Sequence, residues 1–465
     1  MQRERQSASA TRTATPRNRM GGMRRPFPFV AAALLAAAAS ASWVSAHNDA
    51  DASRYWPQWR GPLGTGVSPT AEPPLEWSES RNVKWKIRLP GRGSSSPVVW
   101  GDRVFVLTAA PAGLPLEESH APRGAITPRL PHQFKVIAIN RADGTIAWER
   151  VAREEMPHEG THQDNGTWAS ASAVTDGQHV IASFESRGIY CYDMQGTLVW
   201  QKDLGDKQMR NEFGEGSTPA LHRNTLVVVW DHFVPGASFI VALDKRTGDE
   251  LWRVKRDEID TWATPAIVEE GGRTHVVVPG MNRLRSYDLE TGAVLWETAG
   301  LTMNPIPSPV AGDGMVFATS GFRGNSLKAV RLAGATGDIT NTPHVVWTLD
   351  RDTPYVPSPL LYGDVLYVLK SNNGLLSAFE ARTGTPHYQV QRLEGAPNVF
   401  ASPVGAANRV YIAGRDGTTV VLRHGARFEV LAENTLDEGF DASPALAGRD
   451  LYLRGTRHLY AIAAP

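Results

Sequence analysis

The chain holds a single cysteine, Cys191, and no excess of either charge: 48 basic residues stand against 48 acidic ones. One cysteine excludes an intrachain disulfide. The lack of a C-x-x-C-H run excludes covalently attached haem, and with no cysteine beside the N-terminal apolar run there is no lipid-attachment site. That run, Phe27–Ala41, is too short for a comfortable membrane span. Also missing are a P-loop, a Gly-rich dinucleotide fingerprint and a G-x-S-x-G nucleophile elbow, so the common nucleotide-dependent and serine-hydrolase chemistries have no foothold.

What the N-terminus does contain reads as an export signal. Arg24 and Arg25 precede the apolar run, and Val44-Ser45-Ala46 offers a small-residue cleavage site before His47. The expectation is a basic leader over 1–46, an arm over 47–82, and a mature protein that is periplasmic or secreted with no transmembrane span. Removing 1–46 takes away seven Arg and one Glu and leaves a net charge of about −6. An acidic surface argues against a nucleic-acid partner.

The strongest positive signal is a phrase of Ser or Thr, usually Pro, then an apolar residue. It occurs at Ser96, Ser172, Thr218, Thr264, Ser308, Ser358, Ser402 and Ser443. The intervals after the first are 41 to 50 residues. A period of that length, with short β-rich runs and Gly/Asn/Asp turns, predicts a propeller. In the clearest periods an Asp, a Thr-Gly pair and a Trp follow the third β-run, as in Asp244…Thr247-Gly248…Trp252; Asp143-Gly144…Trp148 and Gly196…Trp200 are variants, and Tyr388 and Phe428 stand near the later positions. The last period lacks its closing Trp run, whereas Val83-Lys84-Trp85-Lys86-Ile87 precedes the first. The expected fold is therefore all-β: an eight-bladed propeller of four-stranded antiparallel blades over 83–465, closed by that N-terminal strand. Closing the ring in this way would protect its terminal edges.

The docking phrase Leu243-Asp244-Lys245-Arg246-Thr247-Gly248-Asp249-Glu250-Leu251-Trp252 resembles that of the quinoprotein-like propellers. Trp56-Pro57-Gln58-Trp59-Arg60-Gly61 is similar to the arm of exported bacterial members with pyrroloquinoline quinone (PQQ)-binding-like repeats. The resemblance implies one of two activities. The PQQ-dependent alcohol and sugar dehydrogenases hold quinone and calcium over the channel. The outer-membrane barrel-assembly lipoproteins are binding scaffolds without cofactor. The first branch typically has a disulfide between adjacent cysteines, the second a lipidated cysteine, and this chain has neither. The expectation is a non-catalytic envelope scaffold for a protein segment or small ligand, with no cofactor; a PQQ- and calcium-dependent dehydrogenase is the alternative.

Four-stranded blades put their second turns and their crossovers on one face. Just upstream of the repeated phrase lie Arg92, Asn165, Glu215, Trp262, Asn304, Tyr355, Asn398 and Asp441, which should ring the channel mouth. The second turns add Arg187, Asp231, His232, Arg283, Arg323, Asn372, Asn373, Arg415 and Asp416. Converging Arg residues suit carboxylate or phosphate. The ligand-binding candidates are Asn165, Glu215, Trp262, Asn304, Arg323, Asn372, Arg415 and Asp441. No catalytic or metal residue is assigned, although Glu215, Asn304 and Asp441 have the oxygen chemistry calcium takes. His158-Glu159-Gly160-Thr161-His162 spells H-E-x-x-H, but Pro157 and Gly160 deny it the helix that zinc proteases require. Trp262, Tyr355 and Phe400 offer stacking faces for a glycan.

Overall fold

The computed structural model describes residues 52–118 and 127–464; the predicted leader lies outside them. Eight antiparallel sheets succeed one another along the chain. Blades 1 to 7 span 98–155, 174–202, 220–255, 266–299, 310–349, 360–392 and 404–435. Blade 8 combines 445–462 with the N-terminal strand Val83–Arg88. That strand pairs antiparallel with His458–Ile462, placing Trp85 opposite Ala461. Each innermost strand touches the next, and the last (Ala445–Ala447) touches the first (Val98–Trp100), so the ring is closed. Among the described residues no helix is long and apolar enough to cross a membrane.

In five of the eight outer strands a Trp docks the following blade. The indole N–H of Trp85, Trp148, Trp200, Trp252 and Trp347 donates to the carbonyls of Arg141, Met194, Lys245, Leu289 and Ala381, at 2.8–3.0 Å. The Thr-Gly turn explains the accompanying glycine. Gly248 has φ +74°, and a Cβ there would lie 2.7 Å from the Trp200 ring. Only glycine gives both the left-handed turn and the close approach. Blade 4 departs from the pattern. An insertion in blade 5 lays Gly337–Asp338 parallel against Trp296 and Glu297, and the Trp296 indole nitrogen is buried with no partner among the described residues.

The repeated Ser/Thr has a role that its Pro neighbour obscured. The backbone N–H of Ser96 donates to Ser172 Oγ, that of Ser172 to Thr218 Oγ1, and so on through Thr264, Ser308, Ser358 and Ser402 to Ser443. All seven links are 2.8–3.1 Å long. They form a belt of hydroxyls around the channel, satisfying N–H groups that begin each blade and have no ladder partner. The sequence interval between phrases is the span of one belt bond.

The arm crosses the face opposite the mouth. Trp56 exchanges two backbone hydrogen bonds with Val99, and Ser68 N–H donates to the Gly405 carbonyl. Buried Arg60 donates to the Pro359 and Pro403 carbonyls, at 2.7 and 2.8 Å. Trp59 lines both the mouth and a second cavity of about 140 Å³ formed with blades 3 to 5. The arm thus floors the channel.

Candidate functional site

Six of the eight crossovers between blades are nine to eleven residues long, but 156–173 and 203–219 are much longer. Together with the second turns of blades 6 and 7 they surround a mouth of about 640 Å³. Seven of the eight ligand-binding candidates line it: Asn165, Glu215, Trp262, Asn304, Asn372, Arg415 and Asp441. So do Tyr355, Asn398 and Phe400. A volume of this size suits a small ligand or a short chain segment.

The expected convergence of arginines does not occur, because local partners draw them elsewhere. Arg323, the eighth candidate, is not among the mouth-lining residues; its guanidinium lies over the Phe322 ring, 5.5 Å from the centroid. Arg187 is buried beneath the rim with Glu155 and Asp206. Arg283 turns outward to Glu297 and Asp338. Asp231 is buried in a bidentate pair with Arg256, at 2.7 and 3.0 Å. Arg92 also lies outside the mouth lining, its backbone pairing with Ala109.

Arg415 remains, and it is engaged. It pairs with Asp441 at 2.6 Å, donates to the Asp164 carbonyl at 2.8 Å, and stacks over Phe400 at 4.1 Å. It therefore ties blade 7 to the long crossover after blade 1. Trp262 is fixed by a 2.7 Å bond from its indole N–H to the Gly214 carbonyl. Asn304 is only 3% exposed, has φ +55°, and its Oδ1 accepts from no described residue. That oxygen is a ready acceptor for an occupant of the mouth.

The calcium set suggested by residue type does not fit. Glu215 accepts from the Ser186 N–H at 2.9 Å and from the Ser186 hydroxyl. Asp441 is held by Arg415. Asp441 is thus drawn to a cation of its own, although Glu215 keeps further lone pairs and Asn304 Oδ1 accepts from no described residue. Cys191 sits buried in the third strand of blade 2, away from the mouth lining, and burial pushes its thiol up to about 12. It takes no part in chemistry there.

Under the rim lies a second, partly open space of about 20 Å³ between the two long crossovers, lined by exposed His158 and by Glu159, Glu185, Arg187 and Glu215 among others. The H-E-x-x-H run is irregular here, with a bend at His158 and Glu159, rather than helical. His158 faces this small cavity while His162 faces the mouth, so the two imidazoles do not share a site. Lys207 is buried and bonds Glu185 at 2.7 Å. Its ammonium is disfavoured by burial, but Glu185 and Glu215 outweigh that and hold its pKa above the usual value. Burial raises Glu185 to about 7 even with Lys207 beside it. Glu159 goes further, to about 8: burial comes first, and neighbouring Glu215 adds to it against one backbone N–H from Met209. Its Oε1 is buried with no hydrogen-bond partner among the described residues. Of this cluster the sequence marked His158 and Glu159 through the H-E-x-x-H run and Glu215 as a mouth candidate, but nothing periodic marked Glu185 or Lys207. The W-P-Q-W-R-G phrase was the only signal for Trp59.

A family model described as outer membrane protein assembly factor BamB matches residues 40–232 and 236–464. Among solved structures, BamB from Moraxella catarrhalis aligns with 82% of this chain and 96% of its own, at 15% identity and a TM-score of 0.56. A europium-containing methanol dehydrogenase aligns with 88% of this chain and 98% of its own, at 9% identity and a TM-score of 0.60. The quinohemoprotein alcohol dehydrogenase of Comamonas testosteroni aligns with 90% and 82%, at 11% identity and a TM-score of 0.57. Identities this low establish a shared fold alone. No individually curated protein sequence matches significantly.

Proposed function

The chain belongs to the outer membrane protein assembly factor BamB family, and from that membership we infer that it is an exported, non-catalytic propeller that binds a partner segment or small ligand in the cell envelope. The observation that carries this reading is the state of the mouth. It is wide, it is edged with amides and aromatic rings, Arg415 and Asp441 are paired with each other, and Glu215 accepts from Ser186. Such a surface recognises by shape, hydrogen bonds and stacking. Asn304 Oδ1, Asn372, Asn398 and the fixed ring of Trp262 would supply those contacts.

The alternative, a PQQ- and calcium-dependent dehydrogenase, needs an oxygen set free to take calcium, and Asp441 is held by Arg415. The deciding experiment titrates the purified protein with PQQ and calcium. The scaffold reading expects no stoichiometric binding at high micromolar quinone and no dye-linked oxidation of alcohols or sugars. Bound quinone absorbance with calcium-dependent turnover would overturn it.

A further inference from the structure

We propose that His158, Glu159 and Glu215 form a binding site for one divalent transition cation of the zinc class, which would clasp the two long crossovers together beneath the mouth. The site is separate from whatever the mouth binds. One ligand atom from each of the three residues lies within 4.8 Å of the others. All three line the partly open space of about 20 Å³, His158 at its exposed side and Glu159 buried. That is room for a single water or ion, a water needing roughly 10–15 Å³.

Three further observations point to a cation. First, Glu159 is 7% exposed and its Oε1, buried in this wall, meets no donor. A buried carboxylate oxygen without a partner is costly unless a cation or donor completes it. Second, Glu159, Glu185 and Glu215 share one buried ammonium, Lys207, because Arg187 is taken by Glu155 and Asp206. A dication balances that excess. Third, the His158 Nε2–H donates to the Lys207 carbonyl at 2.7 Å, which leaves Nδ1 as the lone pair. A backbone carbonyl behind the imidazole is how metal-bound histidines are commonly oriented. Arg187 donates to that Nδ1 in the metal-free arrangement, and it keeps Glu155 and Asp206 when a metal displaces it.

One imidazole and two carboxylates in so small a space suit zinc-class ions, which take four ligands including nitrogen. Calcium wants six to eight oxygens. His158 and Glu159 belong to the crossover 156–173, Glu215 to 203–219, so the bound ion would cross-link the two segments that build one side of the mouth.

The test is calorimetric titration of the chelator-stripped, tag-free protein with Zn²⁺ alone, beside Glu159→Gln, Glu215→Gln and the mouth control His162→Ala. One equivalent is expected in the wild type and in H162A, with affinity at least tenfold weaker in E159Q and E215Q. At a hundredfold excess over Kd the wild-type Tm should rise by about 3 °C. The Gln variants remove buried charge without changing shape. Should either fail to fold, the Co²⁺-loaded wild type supplies the second readout, an intense visible absorption from a four-coordinate site. Zinc binding unchanged in both Gln variants, displacement of zinc by modest Ca²⁺, or no uptake with only water in the cavity would overturn the proposal.

Discussion

Glu159 and Glu438 are both buried glutamates on crossovers, yet they live in opposite circumstances. Glu438 sits on a nine-residue crossover and reaches over to the second turn of blade 8. There it accepts from the backbone N–H groups of Arg457 and His458, from Arg457 Nε at 3.0 Å and from His458 Nδ1 at 2.6 Å. Burial alone would raise its pKa, but these bonds bring it below the usual carboxylate value. Glu258 repeats the device against Asn282 and Arg283. On the long crossover Glu159 has one backbone donor and one bare oxygen. Two of the short crossovers use a buried glutamate to lock the next blade. The long crossover after blade 1 holds its own where an extra positive charge is wanted.

The contrast breaks most visibly at Glu438. Glu438→Ala removes the acceptor of four bonds and leaves two partly buried backbone N–H groups without their partner. A loss of about 4 kcal/mol in unfolding free energy is expected, measured by urea denaturation. Failure to destabilise by at least half of that would mean the cap is ornamental.

Glu159 should respond to pH in the reverse sense. Its folded pKa of about 8 lies above its unfolded value. The stability it contributes is therefore complete below the unfolded pKa and is lost as pH rises through the folded one. Relative to metal-free wild type, Glu159→Gln should gain on the order of 3 kcal/mol between about pH 4.5 and 7. For Glu438 the folded pKa is depressed, so its contribution is present at neutral pH and fades as pH falls through that value. Melts of the variants across pH would show slopes of opposite sign; parallel slopes would erase the distinction between the two halves.

The smallest effect is a control. The hydroxyl belt passes through both halves unaltered, with Ser172 beside the long crossovers and Ser402 beside the short ones. Ser172→Ala and Ser402→Ala should each cost about 1 kcal/mol. A large inequality would show that the long-crossover half is built on a different footing.

The ring was legible from residues that every blade must repeat. Ser96 to Ser443 carry the belt and the Thr-Gly-Trp phrases carry the docking, so spacing alone gave the blade count and the Trp85 closure. Much of the mouth followed, because a position fixed relative to the belt also has a fixed height above the channel; Asn165, Trp262 and Asp441 are such residues. Arg323, Arg187 and Arg283 escaped because a turn arginine chooses among nearby acids and rings: Arg323 takes the adjacent Phe322 ring, and Arg187 and Arg283 take acids distant in sequence. Trp59 escaped because the arm has no repeat to index it. Glu159 was hidden inside a motif whose spacing is meaningful only on a helix, and the chain is bent and irregular there.

The claim on which the functional reading rests is that this protein works through its mouth and not through the Thr-Gly turns on the other face. A photo-crosslinking side chain placed at exposed Asn373 on the mouth, and another at exposed Thr247 on the opposite turns, tests it in intact cell envelopes. The account predicts discrete adducts from position 373 that vanish with Trp262→Ala, and none from 247. Adducts from 247 with a silent 373 would contradict it.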